Sequence, residues 1–306
     1  MERAPSPAKI PVNLETVNKT ATTAEPEKES AELRSAGHTG ASVPTWPEKL
    51  PEPRPQIHHG WLSALRSYLI FDPLIWSYTL ILGTISLLSS FVDRNGRFQH
   101  KCARLWSWLI MKTILSPVTV TGVSHVATTA PSSPKPRVYA VTHASALDIP
   151  ILYVYLPFQF RIIFKSELLS YPFIGWHLTR SGQVCINQQN PAASIGSIKS
   201  ALRSLRSGVP LVIFPEGGRT RDGQIQPFLP GAFFLAIKAQ AEIVPIALIG
   251  TFELLPMNTY HIKSQPLEMR AGEPIATAGL TVSDTEEVSA RVKAAIEKLQ
   301  AFPRTT

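Results

Sequence analysis

The chain has 306 residues, of which 44% are hydrophobic and only 17% are charged, and its formal net charge at pH 7 is +8. This length allows one large domain or two small ones, and so few charges argue against a wholly soluble protein. The charge is uneven, because residues 1–60 hold seven Lys/Arg against eight Asp/Glu and the remainder holds 23 against 14. A basic folded part indicates an anionic partner (lipid headgroups, a phosphate-bearing substrate or nucleic acid), unless it is only a generic basic surface.

The N-terminal segment, residues 1–57, is rich in Pro, Glu, Ala, Ser and Thr and contains nine prolines. It shows no apolar period, so it is predicted to be disordered, and its start lacks the apolar run of a cleavable signal peptide. The two cysteines, Cys102 and Cys185, form no C-x-x-C pair and lie near no histidine cluster. We therefore expect no structural metal site and the reduced, cytoplasmic state of both thiols.

Residues 74–92 form an uncharged stretch of 19 residues with twelve large apolar side chains. As a helix it would be roughly 28 Å long, about one hydrocarbon thickness, which predicts a spanning helix. Its six Ser/Thr leave open a helix in the interface or one arm of a re-entrant pair. Arginines and lysines follow the stretch, so the next domain is expected in the cytoplasm, and residues 102–117 are predicted to form an interfacial helix. We thus expect membrane-associated helices over residues 58–117, at the cytoplasmic membrane.

From about residue 118 to the end, predicted strands and helices alternate. The strands are expected at residues 137–143, 160–164, 183–186, 211–214 and 242–250. The helices are expected from Asn190 and Pro191 to Gly208, over residues 232–239, and from a capping box of Ser283 and Glu286 to about Ala301. This alternation predicts one α/β domain over residues 118–306 whose sheet is covered by helices.

The first candidate site is the segment THASALD, residues 142–148, which directly follows a predicted buried strand. Histidine is the side chain suited to act as a general base near neutral pH, so His143 is a candidate base. If a helix opens after it, Asp148 can fold back onto one ring nitrogen, as the acid of a catalytic triad does. Ser145 could be a nucleophile, but no G-x-S-x-G elbow surrounds it, and we expect it to cap the helix.

The second candidate site is the loop FPEGGRTRDG, residues 214–223, which also follows a buried strand. Its glycines let the backbone approach an anion closely, and Arg219 and Arg221 can bind phosphate oxygens. Glu216 is expected to hold an arginine or to accept a hydrogen bond from a substrate hydroxyl. The loop lacks the order of a P-loop, so nucleotide hydrolysis is not supported. A tight turn with a surface ion pair is the other interpretation of this loop taken alone.

Together these segments resemble the glycerolipid acyltransferases, and within them the 1-acylglycerol-3-phosphate acyltransferases. Residues 142–148 resemble the family's N-H-x4-D block with threonine in place of asparagine, and residues 214–220 match F-P-E-G-x-R-[ST]. Residues 244–246 match the V-P-[IV] strand, and residues 164–176 resemble a lysine-containing segment that ends in P-x-x-G-W. The resemblance implies a mixed, largely parallel sheet covered by helices, of the glycerol-phosphate acyltransferase type, with N-terminal membrane-associated helices.

The resemblance implies transfer of a fatty acyl group from acyl-CoA or acyl carrier protein to lysophosphatidic acid. His143 would be the base and Asp148 its orienting acid. The acceptor would be bound by substrate-binding residues at the loop and the lysine segment: Lys165, Glu216, Gly217, Gly218, Arg219 and Thr220. It implies no metal or bound cofactor; we expect membrane lipids, the lysophospholipid and the acyl donor as partners, and no nucleic acid.

One family block departs from its pattern. The G-x-x-F-I-D-R block falls on residues 182–188, where Cys185, Asn187 and Gln188 replace the aromatic residue, the aspartate and the arginine. That arginine is associated in the family with the acceptor's phosphate, so binding would depend on Arg219, with Lys165 or Arg221. The change leaves open a different acceptor, such as a lyso-aminolipid, or a membrane lipid-binding protein without turnover.

Overall fold

The computed structural model of the protein describes residues 60–93, 95–126, 136–171, 174–187 and 195–303. Three predictions lie outside these residues: the disordered segment over 1–57, the helix start at Asn190 and Pro191, and the environment of Gln188. The described part of the chain has α/β architecture, with helices packed against a single sheet.

The described residues contain seven strands that form one mixed sheet. They are β1 (Val118–Thr121), β2 (Arg137–Val141), β3 (Arg161–Lys165), β4 (Val184–Ile186), β5 (Leu211–Ile213), β6 (Glu242–Ile249) and β7 (Leu267–Ala271). The order across the sheet is β1-β7-β6-β2-β5-β3-β4. Neighbouring strands are parallel except β6 and β7, which are antiparallel. The mixed, largely parallel sheet is therefore confirmed, and the carboxyl ends of β2, β3, β5 and β6 meet at one edge.

Ten α-helices lie within the described ranges. They are α1 (Trp61–Arg66), α2 (Asp72–Ser89), α3 (Arg97–Thr113), α4 (Val123–Val126), α5 (Asp148–Tyr155), α6 (Ile174–Arg180), α7 (Ile195–Arg206), α8 (Phe234–Lys238), α9 (Thr251–Leu254) and α10 (Thr285–Ala301). A π-helical turn at Ser67–Phe71 joins α1 to α2 without a break. The predicted interfacial helix is thus α3, which begins and ends a few residues earlier than expected.

The core lies on both faces of the sheet. Strand β2 is buried at every position, as expected for a central strand with helices on both sides. On one face, Ile110 and Ile114 at the end of α3 and Ile151 of α5 pack with Tyr139 of β2. Helices α7 and α10 also contact the sheet, and their buried residues lie outside that cluster, so they cover the other face.

The run from α1 through α2, Trp61–Ser89, is long and apolar enough to cross a membrane by length and composition. It includes most of the stretch predicted from the sequence but starts well before residue 74. Its apolar side chains are largely uncovered; Trp76, Leu80 and Leu88 are 66%, 58% and 63% exposed. A water-soluble protein would cover such a surface, so this helix faces an apolar environment or a partner.

Both ends of this run are hydrogen-bonded to the α/β domain. Near its start, Ser63 Oγ lies 3.1 Å from His261 Nε2, and Arg66 donates to Ser264 Oγ at 3.0 Å. Near its end, Ser86 Oγ lies 3.0 Å from His177 Nδ1 on α6. In between, α2 packs along α3. The helix therefore lies along the surface of the domain and does not project away from it.

The fold corrects the prediction for the start of the last helix. The capping box is formed by Thr281 and Asp284, not by Ser283 and Glu286, and a 3-10 turn at Val282–Asp284 precedes α10. The reason is that Asp284 Oδ2 accepts the backbone N–H of Thr281 at 2.7 Å, which places the cap two residues earlier than predicted. The helix predicted over 232–239 likewise begins as a 3-10 turn, Pro230–Phe233, before α8.

Candidate active site

The turn after β2 brings His143 and Asp148 together. Asp148 is the first residue of α5 and is fully buried, and its Oδ2 lies 2.9 Å from His143 Nδ1. The same oxygen accepts the backbone N–H groups of Ala144 at 2.8 Å and Ser145 at 2.9 Å. Because a carboxylate only accepts hydrogen bonds, Nδ1 carries the proton and Nε2 keeps its lone pair. The sequence predicts this contact on the condition that a helix opens after His143, and the structure has both the helix and the contact. The catalytic roles of the two residues stay a prediction.

The imidazole of His143 is held by stacking as well as by the carboxylate. Its ring lies 4.1 Å from the ring of Phe214, centroid to centroid, at an interplanar angle of 22°. The side chain of His143 is 17% exposed, so the ring can still be reached from outside. Phe214 was not among the predicted site residues. Its position directly before Pro215 and Glu216, at the end of a strand adjacent to β2, is the signal that could have identified it.

Thr142, which replaces the family's asparagine, joins two neighbouring strands through hydrogen bonds. Its Oγ1 accepts the backbone N–H of Leu248 at 2.9 Å, and its own N–H donates to the carbonyl of Ile246 at 3.2 Å. Thr142 is 3% exposed. The threonine therefore ties the end of β2 to β6, and it extends the sheet contacts up to the residue before the histidine.

Glu216 connects the second loop to the histidine. Its Oε1 accepts the backbone N–H of His143 at 2.8 Å, and its Oε2 accepts the backbone N–H of Gln226 at 2.9 Å. Burial raises the pKa of Glu216 to about 7, although these two N–H donors act in the opposite direction. Within the described residues Glu216 makes no ion pair with an arginine, and both of its oxygens accept backbone N–H groups. A contact with a substrate hydroxyl stays a prediction. Glu216 fixes the position of the histidine backbone.

The rest of the loop is closed by a second set of hydrogen bonds. The N–H of Thr220 donates to the carbonyl of His143 at 2.9 Å. The hydroxyl of Thr220 donates to Asp222 Oδ1 at 2.6 Å, and the amide of Gln226 donates to the same oxygen at 3.0 Å. Gly217 has a φ of +68°, which a residue with a side chain adopts only with strain. These contacts make the loop rigid before any substrate binds.

Two cations beside this loop have no partner among the residues that the structure describes. Lys165 ends β3, and its Nζ lies close to Gly218. A Cβ atom added to Gly218 would be 3.7 Å from that Nζ. Arg219 is half-buried. Among the residues that the structure describes, neither side chain makes a hydrogen bond or an ion pair, whereas Arg221 is exposed and has a partner. The loop glycines with Lys165 and Arg219 therefore form a surface that can bind an anion.

A cavity of about 230 Å³ lies next to the histidine. It is lined by His143, Glu216 and Thr220, by residues 248–253 at the end of β6, and by Gln300 and Phe302. Lys165 and Arg219 do not line it. His143 thus lies between two regions. One is the cavity at the end of β6, and the other is the group of glycines and cations at the ends of β5 and β3.

Ser145 is not placed as a nucleophile. It is fully buried, its hydroxyl donates to the carbonyl of Leu255 at 2.9 Å, and it accepts the N–H of Leu147 at 3.2 Å. In the departing block, Cys185 lies on β4 and Asn187 directly follows it, both half-buried. In the described ranges no group of three or more His, Cys, Asp or Glu side chains could hold a metal ion.

The sequence comparisons decide the family. A 1-acyl-sn-glycerol-3-phosphate acyltransferase of Chlamydomonas reinhardtii is 32% identical over 240 residues, covering 76% of this chain and 68% of that protein. The chain belongs to the acyltransferase family. The family's sequence model, described as Acyltransferase, matches residues 117–249, which include strands β1 to β6 and both loops of the site. The resemblance drawn from the motifs is confirmed.

Other relatives of this acyltransferase chain are similar over a shorter part of their length. A chloroplastic 1-acyl-sn-glycerol-3-phosphate acyltransferase of Arabidopsis thaliana is 32% identical over 169 residues, and the chain covers 46% of its length. The chain thus spans about half the length of the first curated relatives that it matches. The crystal structure of the 1-acyl-sn-glycerophosphate acyltransferase of Thermotoga maritima superposes with a TM-score of 0.60 at 22% identity, covering 80% of this chain and 98% of that one. That similarity supports the fold.

Proposed function

We propose that the protein transfers a fatty acyl group from a thioester donor to the free hydroxyl of lysophosphatidic acid, which gives phosphatidic acid. The observation that carries this proposal is the His143–Asp148 pair, with Nδ1 and Oδ2 2.9 Å apart. The names of the relatives, 1-acyl-sn-glycerol-3-phosphate acyltransferases, support the choice of acceptor and reaction.

The reaction needs one base and no enzyme nucleophile. His143 Nε2 takes the proton of the acceptor hydroxyl, and the oxygen attacks the thioester carbonyl carbon. The tetrahedral intermediate collapses with loss of the thiolate, whose sulfur receives the proton from the imidazolium. Asp148 holds the tautomer and stabilises the imidazolium while it exists. The thioester already carries the activation, so the proposal includes no metal or bound cofactor.

The acceptor phosphate would be bound by Lys165 and Arg219 over the loop glycines. Both cations lack a partner within the described residues, and phosphate is the anion that a guanidinium fork and an ammonium bind well. Acyl-CoA and acyl carrier protein present the same thioester, so either is a suitable donor. We propose that the lysophospholipid, membrane lipids and the acyl donor are the partners.

We also propose that the catalytic domain lies at the cytoplasmic face of the membrane, with Trp61–Ser89 in the plane of the interface. The contacts of Ser63 and Ser86 with the domain support this orientation, because a helix that crosses the bilayer could not keep both ends on one soluble domain. The exposed apolar side chains of the helix would enter the bilayer surface.

The test is an acyl-transfer assay with purified full-length protein in detergent, labelled acyl-CoA, and a set of lysolipid acceptors. Wild-type protein should acylate lysophosphatidate in preference to monoacylglycerol, which lacks the phosphate. The variant Arg219→Gln should raise KM for lysophosphatidate by about tenfold or more, in line with the loss of a charge-assisted hydrogen bond worth ~1.5–3 kcal/mol. The variant His143→Ala should be folded and inactive. Full activity of His143→Ala, or equal use of the phosphate-free acceptor, would contradict the proposal.

A further inference from the structure

A second cavity, of about 410 Å³, lies where the start of the membrane helix meets the loop between α9 and β7. Its lining includes Tyr68 from the helix and Tyr260, His261 and Lys263 from the loop. It shares no lining residue with the cavity at His143. We call this cavity the tyrosine–lysine pocket, and nothing in the proposed reaction uses it.

The pocket is positively charged. The two contacting segments, residues 60–71 and 254–266, contain Arg66 and Lys263 and no aspartate or glutamate. Lys263 is half-buried, and its ammonium has no hydrogen bond or ion pair with any residue that the structure describes. Burial, and then the charges of Lys263 and Arg66, lower the pKa of His261, and of these two cations Lys263 lines the cavity. A cavity with these surroundings favours an anion.

The walls of the pocket are well ordered by hydrogen bonds between the helix and the loop. Ser67 Oγ donates to the carbonyl of Tyr260 at 3.2 Å and accepts the N–H of Ile262 at 2.9 Å. Arg66 donates to Ser264 at 3.0 Å, and its guanidinium lies 5.0 Å from the ring centre of Phe71. The start of the membrane helix and the loop between α9 and β7 therefore form a single preformed site.

The surroundings of the pocket indicate which anion it takes. Trp61 and Leu62 on the same helix are 74% and 63% exposed, and Tyr260 is 71% exposed. Exposed tyrosine and tryptophan beside aliphatic residues are typical of the headgroup level of a bilayer, where apolar and polar contacts are both available. An anion held at this level of a bilayer would be the headgroup of a lipid.

We propose that the tyrosine–lysine pocket binds the phosphate of an anionic membrane phospholipid, separately from the acceptor at the active site. This inference rests on the proposed placement of Trp61–Ser89 in the membrane interface. The loop continues into the active site, because Leu255 accepts the hydroxyl of Ser145 and the N–H of Lys263 donates to the carbonyl of Leu254. A bound headgroup would therefore stabilise a loop that packs against the catalytic turn.

The test measures the partition of the full-length protein onto vesicles of phosphatidylcholine with and without phosphatidylglycerol, by flotation. Wild-type protein should bind the anionic vesicles more tightly. Lys263→Gln should reduce that gain by about fivefold, the contribution of one basic residue at an anionic membrane surface. Lys263→Arg should keep the gain. Lys293→Gln, which removes a half-exposed lysine of α10 that pairs with Glu297 at 3.6 Å, controls for the loss of one positive charge outside the pocket and should bind like wild type.

The arms of this experiment separate the alternatives. Binding to neutral vesicles reports on the apolar helix Trp61–Ser89. If wild-type protein does not bind neutral vesicles, the proposed membrane placement is contradicted. The extra binding to anionic vesicles is then still measured separately and tests the pocket. An equal gain in Lys263→Gln and wild type, or an equal loss in Lys293→Gln, would refute the pocket. Millimolar inorganic phosphate should not change the difference in anionic-vesicle binding between wild type and Lys263→Gln. If added phosphate abolishes that difference, the pocket binds a soluble phosphate instead.

Discussion

The variant Asp148→Asn tests the catalytic pair most directly, because it removes a charge while it can preserve the hydrogen bonds. Asp148 Oδ2 accepts three hydrogen bonds, from His143 Nδ1 and from the N–H groups of Ala144 and Ser145. An asparagine oxygen in that place can accept all three. Its NH2 group would then take the position of Asp148 Oδ1, a buried atom that has no hydrogen-bond partner in the described part of the chain.

The size of the effect follows from the charge that develops on His143. In the transition state the imidazole becomes positive, and the buried carboxylate stabilises it. Unit charges about 4 Å apart interact by roughly 4 kcal/mol at the effective dielectric constant of about 20 that suits proteins. Each ~1.4 kcal/mol corresponds to a factor of ten in rate. We expect kcat to fall by about 10²- to 10³-fold, since the partly exposed ring of His143 retains some solvent stabilisation.

The assay is steady-state transfer from labelled acyl-CoA to lysophosphatidate, with kcat and KM measured separately. KM should change little, because Asp148 lines neither cavity. The unpaired asparagine NH2 should lower the free energy of unfolding by about 1–3 kcal/mol, so thermal unfolding of both proteins serves as the control for folding. A folded Asp148→Asn protein that retains more than about a tenth of wild-type kcat would refute the assignment of the imidazolium to the mechanism.

Two further predictions concern the neighbours of this pair. Burial raises the pKa of Glu216 from 4.5 to about 7, so the folded state binds this proton more tightly than the unfolded state, and stability should fall by up to about 3 kcal/mol as pH rises from about 4.5 to 7. Glu216→Gln should lack this decrease in unfolding experiments from pH 4 to 8, and an identical profile in both proteins would contradict it. Ser145→Ala should keep kcat within about tenfold of wild type because Ser145 is buried and bonded to Leu255, whereas complete loss with the fold intact would support a serine hydrolase.

The central part of the fold could be predicted because its residues carry a strong local signal. Strands β2, β5 and β6 are nearly continuous apolar runs, as expected for strands buried on both faces. Strands β1 and β7 were not predicted. The residues of β7, Leu267–Ala271, include Glu268 and Arg270, which are buried because they pair with each other in the sheet. A buried ion pair has no signature in a pattern of apolar residues.

In the site, too, contacts between residues close in sequence could be predicted, and contacts that depend on strand pairing could not. The fold-back of Asp148 onto His143 needs only five positions of chain and a helix start, so it could be predicted from the local sequence on the condition that a helix opens there. The partners of Glu216 do not follow from spacing, since they lie on His143 and Gln226, on either side of it in the sequence. The neighbouring positions of β2 and β5 in the sheet bring the backbone of His143 within reach of Glu216, and the path of the loop after β5 brings that of Gln226.

Under the proposed function, the volume of the cavity at His143 bears on where an acyl chain would lie. About 230 Å³ is less than the ~300–1,000 Å³ of pockets that enclose drug-sized ligands, so a lipid does not fit inside this cavity together with its acyl chain. The residues that follow Lys165 provide the place for the chains, because Leu169, Tyr171, Ile174 and Trp176 are 42–58% exposed. This apolar segment runs into α6, which is bonded to the membrane helix. Lys165, the lysine proposed to bind the phosphate, therefore lies at the boundary of an apolar surface, and the proposal lets a lysolipid leave its chain in the bilayer while its hydroxyl reaches the histidine.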